Sequence, residues 1–198
     1  MPITADQVKQ LREMTGAGMM ECKKALAEAG GDLEKAVAVL RKSGAAGAEK
    51  RSGRSAHEGR VEAYIHPGNR VGVLIEVNCE TDFVARTDEF GELVRNVAMQ
   101  IAAAGAEFVR REEVPEERVA REREILASQA EASGKPATIR AKIIEGKLGR
   151  FFAEVCLLEQ PYIRDDKRTV SDIVQDAATK TGENIVVRRF ARFRLGQD

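Results

Sequence analysis

The chain has 198 residues, and its 32 lysines and arginines balance its 32 aspartates and glutamates, so the formal net charge is zero. This length suits one domain of ordinary size or two small ones, and 43% apolar with 32% charged residues is typical of a folded protein. The neutral balance argues against nucleic acid as the main partner and against a polybasic membrane anchor. No apolar run approaches the roughly 20 residues that span a bilayer, and the first residues lack a secretion signal.

Three cysteines, Cys22, Cys79 and Cys156, lie far apart in the chain and form no CxxC pair. An odd number of isolated cysteines predicts neither a disulfide framework nor a zinc site. We therefore expect a cytoplasmic protein that works in a reducing environment, with no cofactor and no metal.

The pattern of residues 1–43 predicts a domain of three short helices. Thr4 can cap the first helix and Gly16 ends it, because threonine favours the N-cap and glycine the position after a helix. A second helix is predicted from Met20 to Ala29. Asp32 can cap a third helix that continues to about Lys42.

The next segment, residues 44–60, is rich in glycine, alanine and serine and predicts a linker, helical in part around residues 45–51. It carries four interspersed cations: Lys50, Arg51, Arg54 and Arg60. These side chains could contact RNA or an acidic partner, but a solvated tether is the simpler interpretation.

Residues 61–198 predict a core that contains both strands and helices. Alternating apolar and polar residues indicate two strands, from Val61 to His66 and from Val71 to Val77, joined by a turn at Pro67–Asn69. We expect a loop, Asn78–Arg86, after the second strand.

Several helices are predicted after that loop. Thr87 can cap the first of them, which has an apolar stripe at helical spacing: Phe90, Leu93, Val94, Val97 and Ile101. Pro115 opens a charged helix that ends near Glu131. One or two helices follow between Ile139 and Val155, and a last helix starts at Thr169 or Ser171 and ends near Lys180.

The final predicted strand runs from Asn184 to Leu195. One of its faces is apolar and is expected to point inward: Ile185, Val187, Ala191, Phe193 and Leu195. The other face is largely cationic and is expected to point to solvent. The element order predicts an α+β fold class, in which three helices precede a β-β-α(n)-β core with a small antiparallel sheet.

The sequence assembles no catalytic constellation. The Gly-x-Gly within Thr15–Gly18 follows a predicted helix, whereas a dinucleotide-binding fingerprint follows a strand. Cys79 could form a nucleophile pair only with His57 or His66, and a structural thiol is the simpler interpretation. Asp165-Asp166 predicts a turn rather than a metal site. We therefore expect a binding protein with no catalytic residues.

Two segments combine apolar side chains with residues that favour turns or loops. In Gly16–Met20, two successive methionines join the first two helices, and both are hard to bury in so small a unit. Methionine suits adaptable contact surfaces, although filling of the core would also account for the pair.

The second segment consists of Thr81, Asp82, Phe83 and Val84. Loops carry function more often than other segments do, and an acid beside an aromatic ring can act as a wedge. The ring would enter an apolar slot of a partner while the carboxylate competes for the partner's donors or cations. The alternative is that Phe83 closes the core of its own chain.

Two long stretches carry a family resemblance. Leu11–Leu26, with the sequence LREMTGAGMMECKKAL, resembles the N-terminal signature of the bacterial elongation factor Ts family. Glu76–Arg86, with the sequence EVNCETDFVAR, resembles the second signature of that family. The resemblance covers essentially the whole chain, including Ser133–Pro136 and the closing strand. It is to the short form of the family, which has one core subdomain where the long form has two.

The resemblance implies a guanine-nucleotide exchange factor for elongation factor Tu, with residues 1–43 as a ubiquitin-associated-like (UBA-like) domain. Leu11, Met19 and Met20 match positions that contact the GTPase domain of the partner. Thr81–Val84 matches the segment that dislodges the partner's Mg²⁺, with Phe83 as the intruding ring, so that GDP leaves and GTP can bind. His66 and Arg70 match the family's hairpin less specifically and are expected as further contacts.

The single core subdomain of the short form implies a second copy of the chain. We expect a homodimer through the terminal strand, which would give a 2:2 complex with elongation factor Tu, with no membrane and no direct nucleic-acid partner. Some short relatives carry a cysteine in the last strand, but the nearby residue here is Ala191, which does not support a disulfide across that interface.

Two alternatives from other functional classes stay open at this point. An RNA-associated or ribosome-associated adaptor would use the linker arginines and those of the last strand: Arg188, Arg189, Arg192 and Arg194. A cysteine enzyme would use Cys79 as its nucleophile.

Overall fold

The computed structural model describes residues 3–132 and 134–197; Ser133, which belongs to the Ser133–Pro136 stretch of the family resemblance, lies outside the described residues. The elements in chain order are α1 (Ala5–Thr15), α2 (Met19–Glu28), α3 (Leu33–Ser52), β1 (Glu58–Ile65), β2 (Val71–Cys79), α4 (Asp82–Ala85), α5 (Asp88–Ala104), α6 (Glu116–Ala132), α7 (Ala137–Val155), β3 (Pro161–Tyr162), β4 (Asp165–Thr169), α8 (Val170–Thr181) and β5 (Val186–Arg194). Within this part of the chain, no helix is both long and apolar enough to cross a membrane.

The strands form two sheets. β1, β2 and β5 make a three-stranded antiparallel sheet with β2 in the middle, and β3 pairs with β4 in a separate antiparallel ribbon. Helices with a small antiparallel sheet confirm the predicted α+β class.

Internal contacts divide the chain into two compact units. Unit 1 comprises the residues up to Arg60 together with Val77–Val94 and Asp172–Val187. Unit 2 comprises Val61–Glu76, Arg95–Ser171 and the residues from Arg188 onward. This grouping does not test whether residues 1–43, 44–60 and 61–198 are separate domains, so that division stays a prediction.

The first helix begins and ends as its terminal residues predict. The Thr4 hydroxyl accepts a hydrogen bond from the Gln7 N–H at 3.2 Å, and Gln7 Oε1 accepts one from the Thr4 N–H at 3.0 Å. This capping box satisfies two N–H groups at the start of α1. Gly16 ends the helix with φ of 69°, a left-handed conformation that glycine adopts without steric cost. The side chains buried between α1, α2 and α3 are Val8, Leu11, Ala17, Cys22, Ala25, Leu26 and Ala36.

The third helix is longer than predicted. Asp32 caps α3 as expected, since its Oδ1 accepts a hydrogen bond from the Lys35 N–H at 3.0 Å. The helix then continues past Lys42 to Ser52, so much of the predicted linker is helical. Alanine, glutamate, lysine and arginine dominate this stretch, and their high helix propensity outweighs the cost of isolated glycines, about 1 kcal/mol each.

The stripe predicted for the helix after Thr87 is confirmed as the buried face of α5. Thr87 caps this helix, because its hydroxyl accepts a hydrogen bond from the Phe90 N–H at 3.2 Å. Five side chains at helical spacing are almost wholly buried: Phe90, Leu93, Val94, Val97 and Ile101. The helix lies along one face of the sheet, where Arg95 pairs with Glu62.

The apolar face of the last strand does not point inward along its whole length. Ile185 and Val187 are buried, but Ala191, Phe193 and Leu195 are exposed, so the prediction is wrong for these three residues. The cationic face is the one that α5 covers here, since the Arg192 guanidinium donates to the carbonyl of Ala102 at 3.5 Å. Alternation separates two faces of a strand but does not show which of them a helix covers.

The exposed face of the sheet is therefore largely apolar. In addition to the residues of β5, it presents side chains of β1 and β2: Val61, Ala63, Ile65 and Leu74. We call this set, with Ala191, Phe193 and Leu195, the open sheet face.

Two smaller predictions were also incomplete. Asp165-Asp166 does not form a turn: Asp165 pairs with Tyr162 in the β3–β4 ribbon, and the turn lies at residues 163–164. The stretch between Ile139 and Val155 forms one helix, α7, because Gly146 and Gly149 weaken a helix without stopping it.

Substitution of Gly59 tests the pairing of β1 with β2. Gly59 has φ of 145°, and a Cβ atom there would lie 2.1 Å from the carbonyl oxygen of Val77. We expect Gly59→Ala to lower the free energy of unfolding by roughly 3 kcal/mol, measured by urea denaturation, because the two strands must move apart.

Gly146→Ala is the matched control. Gly146 lies within α7 and has no atom within 4 Å of its ideal Cβ position, so this change should stabilise the protein by about 0.5–1 kcal/mol. Equal effects of the two substitutions would contradict the close approach at Gly59.

Candidate functional site

The second signature lies at the end of the middle strand of the sheet. The sequence predicted a loop over Asn78–Arg86, but β2 continues through Cys79, and Asp82–Ala85 form the one-turn helix α4. The hydroxyl of Thr81 caps this helix, because it accepts a hydrogen bond from the Val84 N–H at 3.3 Å. A helix of four residues has no periodic pattern, so its sequence could not reveal it.

Phe83 projects from α4 into solvent. Its side chain is 78% exposed, whereas the adjacent Val84 and Ala85 are buried. A phenylalanine that closes the core would be buried, so that alternative is wrong. The Asp82 carboxylate forms an ion pair with Arg86 at 2.9 Å, on the surface of the same segment.

Both ends of α4 are held by distant parts of unit 1. At the first end, Glu183 Oε2 accepts hydrogen bonds from the Glu80 N–H at 3.0 Å and the Thr81 N–H at 3.1 Å, and Glu183 Oε1 accepts from the Thr81 hydroxyl at 2.6 Å. At the other end, the Arg60 guanidinium donates to the carbonyls of Ala85 and Thr87. Glu183 carries no signal in the sequence, because a hydrogen bond across a hundred residues leaves no local pattern.

The turn between α1 and α2 exposes both methionines of the first signature. Met19 is 49% and Met20 is 65% exposed, and Ala17 instead packs beneath the turn. Filling of the core therefore does not account for the methionine pair. Met14, near the end of α1, is exposed as well. Leu11 is wholly buried, so the structure gives it no exposed surface, and its direct contact with a partner stays a prediction.

The C-terminal end of α8 contacts both signature segments within unit 1. Lys180 lies against Gly16 in the α1–α2 turn, where a Cβ atom on the glycine would approach Lys180 Cε to 2.5 Å. Glu183, just beyond the helix, binds the backbone before α4. One short stretch, residues 180–183, thus contacts both of the segments that the sequence singled out.

The hairpin residues lie in unit 2. His66 and Arg70 are exposed on either side of the turn between β1 and β2. The Tyr64 hydroxyl lies 3.2 Å from His66 Nδ1, and the carbonyl of Arg70 accepts a hydrogen bond from the Leu195 N–H at 2.9 Å. The structure thus presents both side chains on the surface, where their predicted contacts stay predictions.

The thiols lack the features of a nucleophile. Burial raises the pKa of the Cys79 thiol, with a smaller effect from the nearby Glu183 carboxylate, and the thiol donates to the carbonyl of Thr81 at 3.2 Å. Burial likewise raises the pKa of Cys22, and that of Cys156 to about 11. Because the thiolate is the reactive form, these shifts disfavour a cysteine enzyme. Among residues 3–132 and 134–197, no group of three or more potential ligands could hold a metal ion.

Several arginines that an RNA-binding interpretation requires have partners within the chain. Arg189 forms an ion pair with Glu76 at 2.7 Å, and Arg54 forms one with Glu80 at 3.4 Å. Arg60 and Arg192 donate to backbone carbonyls. Because these guanidinium groups bind partners within the chain and support the fold, the interpretation of the chain as an RNA adaptor is weakened.

Comparisons with known proteins show the family to which the chain belongs. The family model described as "Elongation factor TS" matches residues 32–197. Proteins named "Elongation factor Ts" from Carboxydothermus hydrogenoformans and Moorella thermoacetica are each 60% identical to this chain over 195 residues. The matches cover 98% of this chain and 90% and 96% of the two relatives. The same name belongs to a relative from Caldanaerobacter subterraneus, which is 57% identical over 98% of both chains. The chain therefore belongs to the elongation factor Ts family.

Proposed function

We propose that this chain is a guanine-nucleotide exchange factor for elongation factor Tu in the cytoplasm, where it acts in translation elongation. The observation that carries the proposal is Phe83, an exposed aromatic ring on a one-turn helix held at both ends. Such a ring enters a pocket of a partner without unfolding its own core, because Val84 and Ala85 keep the helix in place.

The proposed mechanism is displacement of a cation rather than covalent chemistry. A bound Mg²⁺ is among the largest charges in a nucleotide site and holds the phosphates. Phe83 would enter beside this site and move the groups that surround the Mg²⁺, so that GDP loses much of its binding free energy and leaves. No proton transfer is needed, and the chain is therefore proposed to be a binding protein and not an enzyme.

The same coupling would make the complex reversible. If the chain weakens GDP binding by some factor, GDP weakens binding of the chain by the same factor. GTP would enter the emptied site, and the supply of nucleotide would set the net direction of exchange.

A second contact would come from the three-helix part of unit 1, which we propose to be UBA-like. Met19 and Met20 are exposed side by side, and flexible thioether side chains adapt to an apolar partner surface. They would bind the GTPase domain of elongation factor Tu, while the buried Leu11 supports the turn from beneath. His66 and Arg70 would add contacts to the other domains of the partner.

We further propose that the chain is a homodimer that forms a 2:2 complex. The open sheet face exposes large apolar side chains, among them Phe193 at 69% and Leu195 at 64%. A continuous apolar surface of this kind is typical of a protein interface, and one self-complementary patch suffices for a twofold dimer. Sheet packing through this face would bury the terminal strand of each copy.

Phe83→Ala tests the wedge. We expect release of a fluorescent GDP analogue from purified elongation factor Tu to slow about tenfold or more, which corresponds to about 1.4 kcal/mol of lost stabilisation. The control is Ile125→Ala, which removes an exposed apolar side chain from α6 and should leave the rate unchanged. An unaltered rate for Phe83→Ala would refute the wedge.

The double variant Met19→Ala, Met20→Ala tests the second contact. Loss of two side chains that become buried on binding should raise the Kd for elongation factor Tu about 30-fold, or about 2 kcal/mol, measured by titration calorimetry. Because both side chains are exposed in the free chain, the urea midpoint should not change. An unchanged Kd would remove the methionines from the interface.

Phe193→Asp tests the dimer. The wild-type chain should have the mass of a dimer by light scattering at micromolar concentration, and a buried carboxylate at the interface should convert the variant to a monomer. Phe83→Ala changes another exposed phenylalanine, which lies outside the open sheet face, and this variant should stay dimeric. A monomeric wild-type protein would contradict the proposal.

A further inference from the structure

Phe83 lies on a helix that is too short to be stable on its own. α4 has four residues, and the first turn of a helix fixes many torsion angles for a single hydrogen bond. Its position must therefore come from contacts with the rest of unit 1. Those contacts converge on two charged side chains, Glu183 and Arg60.

We propose that Glu183 and Arg60 are positioning residues for nucleotide exchange, which hold the two ends of α4 so that Phe83 projects in one direction. This inference rests on the proposed function. Neither residue is assigned a contact with the partner. Each acts through the helix that carries Phe83.

Glu183 organises the first end of the helix. The Thr81 hydroxyl has a single hydrogen, which it donates to Glu183 Oε1, so its lone pairs are left to accept the Val84 N–H. The other carboxylate oxygen accepts two backbone N–H groups that precede the helix. The carboxylate thus orients the capping hydroxyl and fixes the entry of the chain into α4.

Glu183 is itself held by reciprocal bonds. Glu80 Oε1 accepts the Asn184 N–H at 2.6 Å, while Glu183 accepts the Glu80 N–H, so the two backbone segments exchange hydrogen bonds. The buried Asn184 side chain donates to the carbonyl of Arg54 at 2.9 Å, and Arg54 pairs with Glu80. A network in which each member has a partner restricts the carboxylate to one geometry.

Arg60 organises the second end. The Arg60 guanidinium donates to the carbonyl of Ala85, the last residue of α4, and to the carbonyl of Thr87, the residue that caps α5. One side chain thus ties the end of α4 to the start of the next helix. The guanidinium lies directly over α5, where a Cβ atom on Gly91 would approach Arg60 Nη1 to 2.3 Å. Glycine at this position leaves the room that the guanidinium occupies.

The opposite charges of the two residues match the helix. The Glu183 carboxylate accepts backbone N–H groups at the first end of α4, and the Arg60 guanidinium donates to the carbonyl of Ala85, the residue that ends the helix. With Val84 and Ala85 buried between them, rotation of α4 would break contacts at both ends. The direction of Phe83 is therefore set by two side chains that lie outside both signatures.

Glu183→Ala and Arg60→Ala in the full-length chain test the proposal. At saturating concentration, each should slow release of a fluorescent GDP analogue from elongation factor Tu about tenfold and change the Kd less than about threefold, because the methionine contacts remain. The milder variants Glu183→Gln and Arg60→Lys each retain part of the bonding and should recover part of the rate. Glu107→Ala and Arg123→Ala remove members of ion pairs in unit 2 and serve as matched controls with unchanged rates.

A double-mutant cycle separates positioning from general stability. If Glu183 acts through Phe83, then Glu183→Ala in a Phe83→Ala background should change the rate less than about twofold. A tenfold loss in both backgrounds would overturn the proposal, as would no loss in the wild-type background.

Hydrogen exchange supplies a readout that does not need elongation factor Tu. In Glu183→Ala and Arg60→Ala, amide exchange in residues 80–87 should rise about tenfold or more, while α1 and α2 stay protected. Unchanged protection would overturn the positioning role whatever the rate of GDP release. The two proposals can fail separately. If the wild-type chain does not accelerate GDP release from elongation factor Tu, but the variants lose amide protection in residues 80–87, the proposed function is wrong and the positioning of α4 by Glu183 and Arg60 is upheld.

Discussion

Burial of alternate side chains along β2 is the constraint on which the rest of the structure depends. β2 is the middle strand, paired on both sides, and its side chains Val73, Ile75 and Val77 are buried while Leu74 is exposed. A shift of one residue in its register would turn every buried side chain outward. Because α4 begins just after β2 ends, the register of β2 also fixes the point at which the chain leaves the sheet and enters the helix that carries Phe83.

The sequence predicted the elements whose information is local. Caps at Thr4, Asp32 and Thr87 are formed by side chains within three residues of the groups they bind. The buried stripe of α5 follows from helical spacing. The α+β class followed from the order of these elements, and the two signature segments followed from resemblance.

Features that depend on distant residues could not be predicted in this way. Ala191, Phe193 and Leu195 alternate as the side chains of a buried face do, so the sequence predicts them to point inward although they are exposed. α4 could not be predicted because a single helical turn has no repeating pattern. The role of Glu183 could not be predicted because its partners lie a hundred residues away in the chain. The sequence left open whether Phe83 closes the core of its own chain or projects toward a partner. The exposure of its ring excludes the first interpretation.

The division into two units also limits how the chain can be cut. Three strands and the helices α5 and α8 each begin in one unit and end in the other, since the boundaries fall after residues 60, 76, 94, 171 and 187 within them. No contiguous fragment contains one whole unit without part of the other, so a truncation that removes one unit takes part of the other with it. Separate expression of the two units would therefore require rearranged or permuted chains, and a protease that nicks one of these strands would damage both units at once.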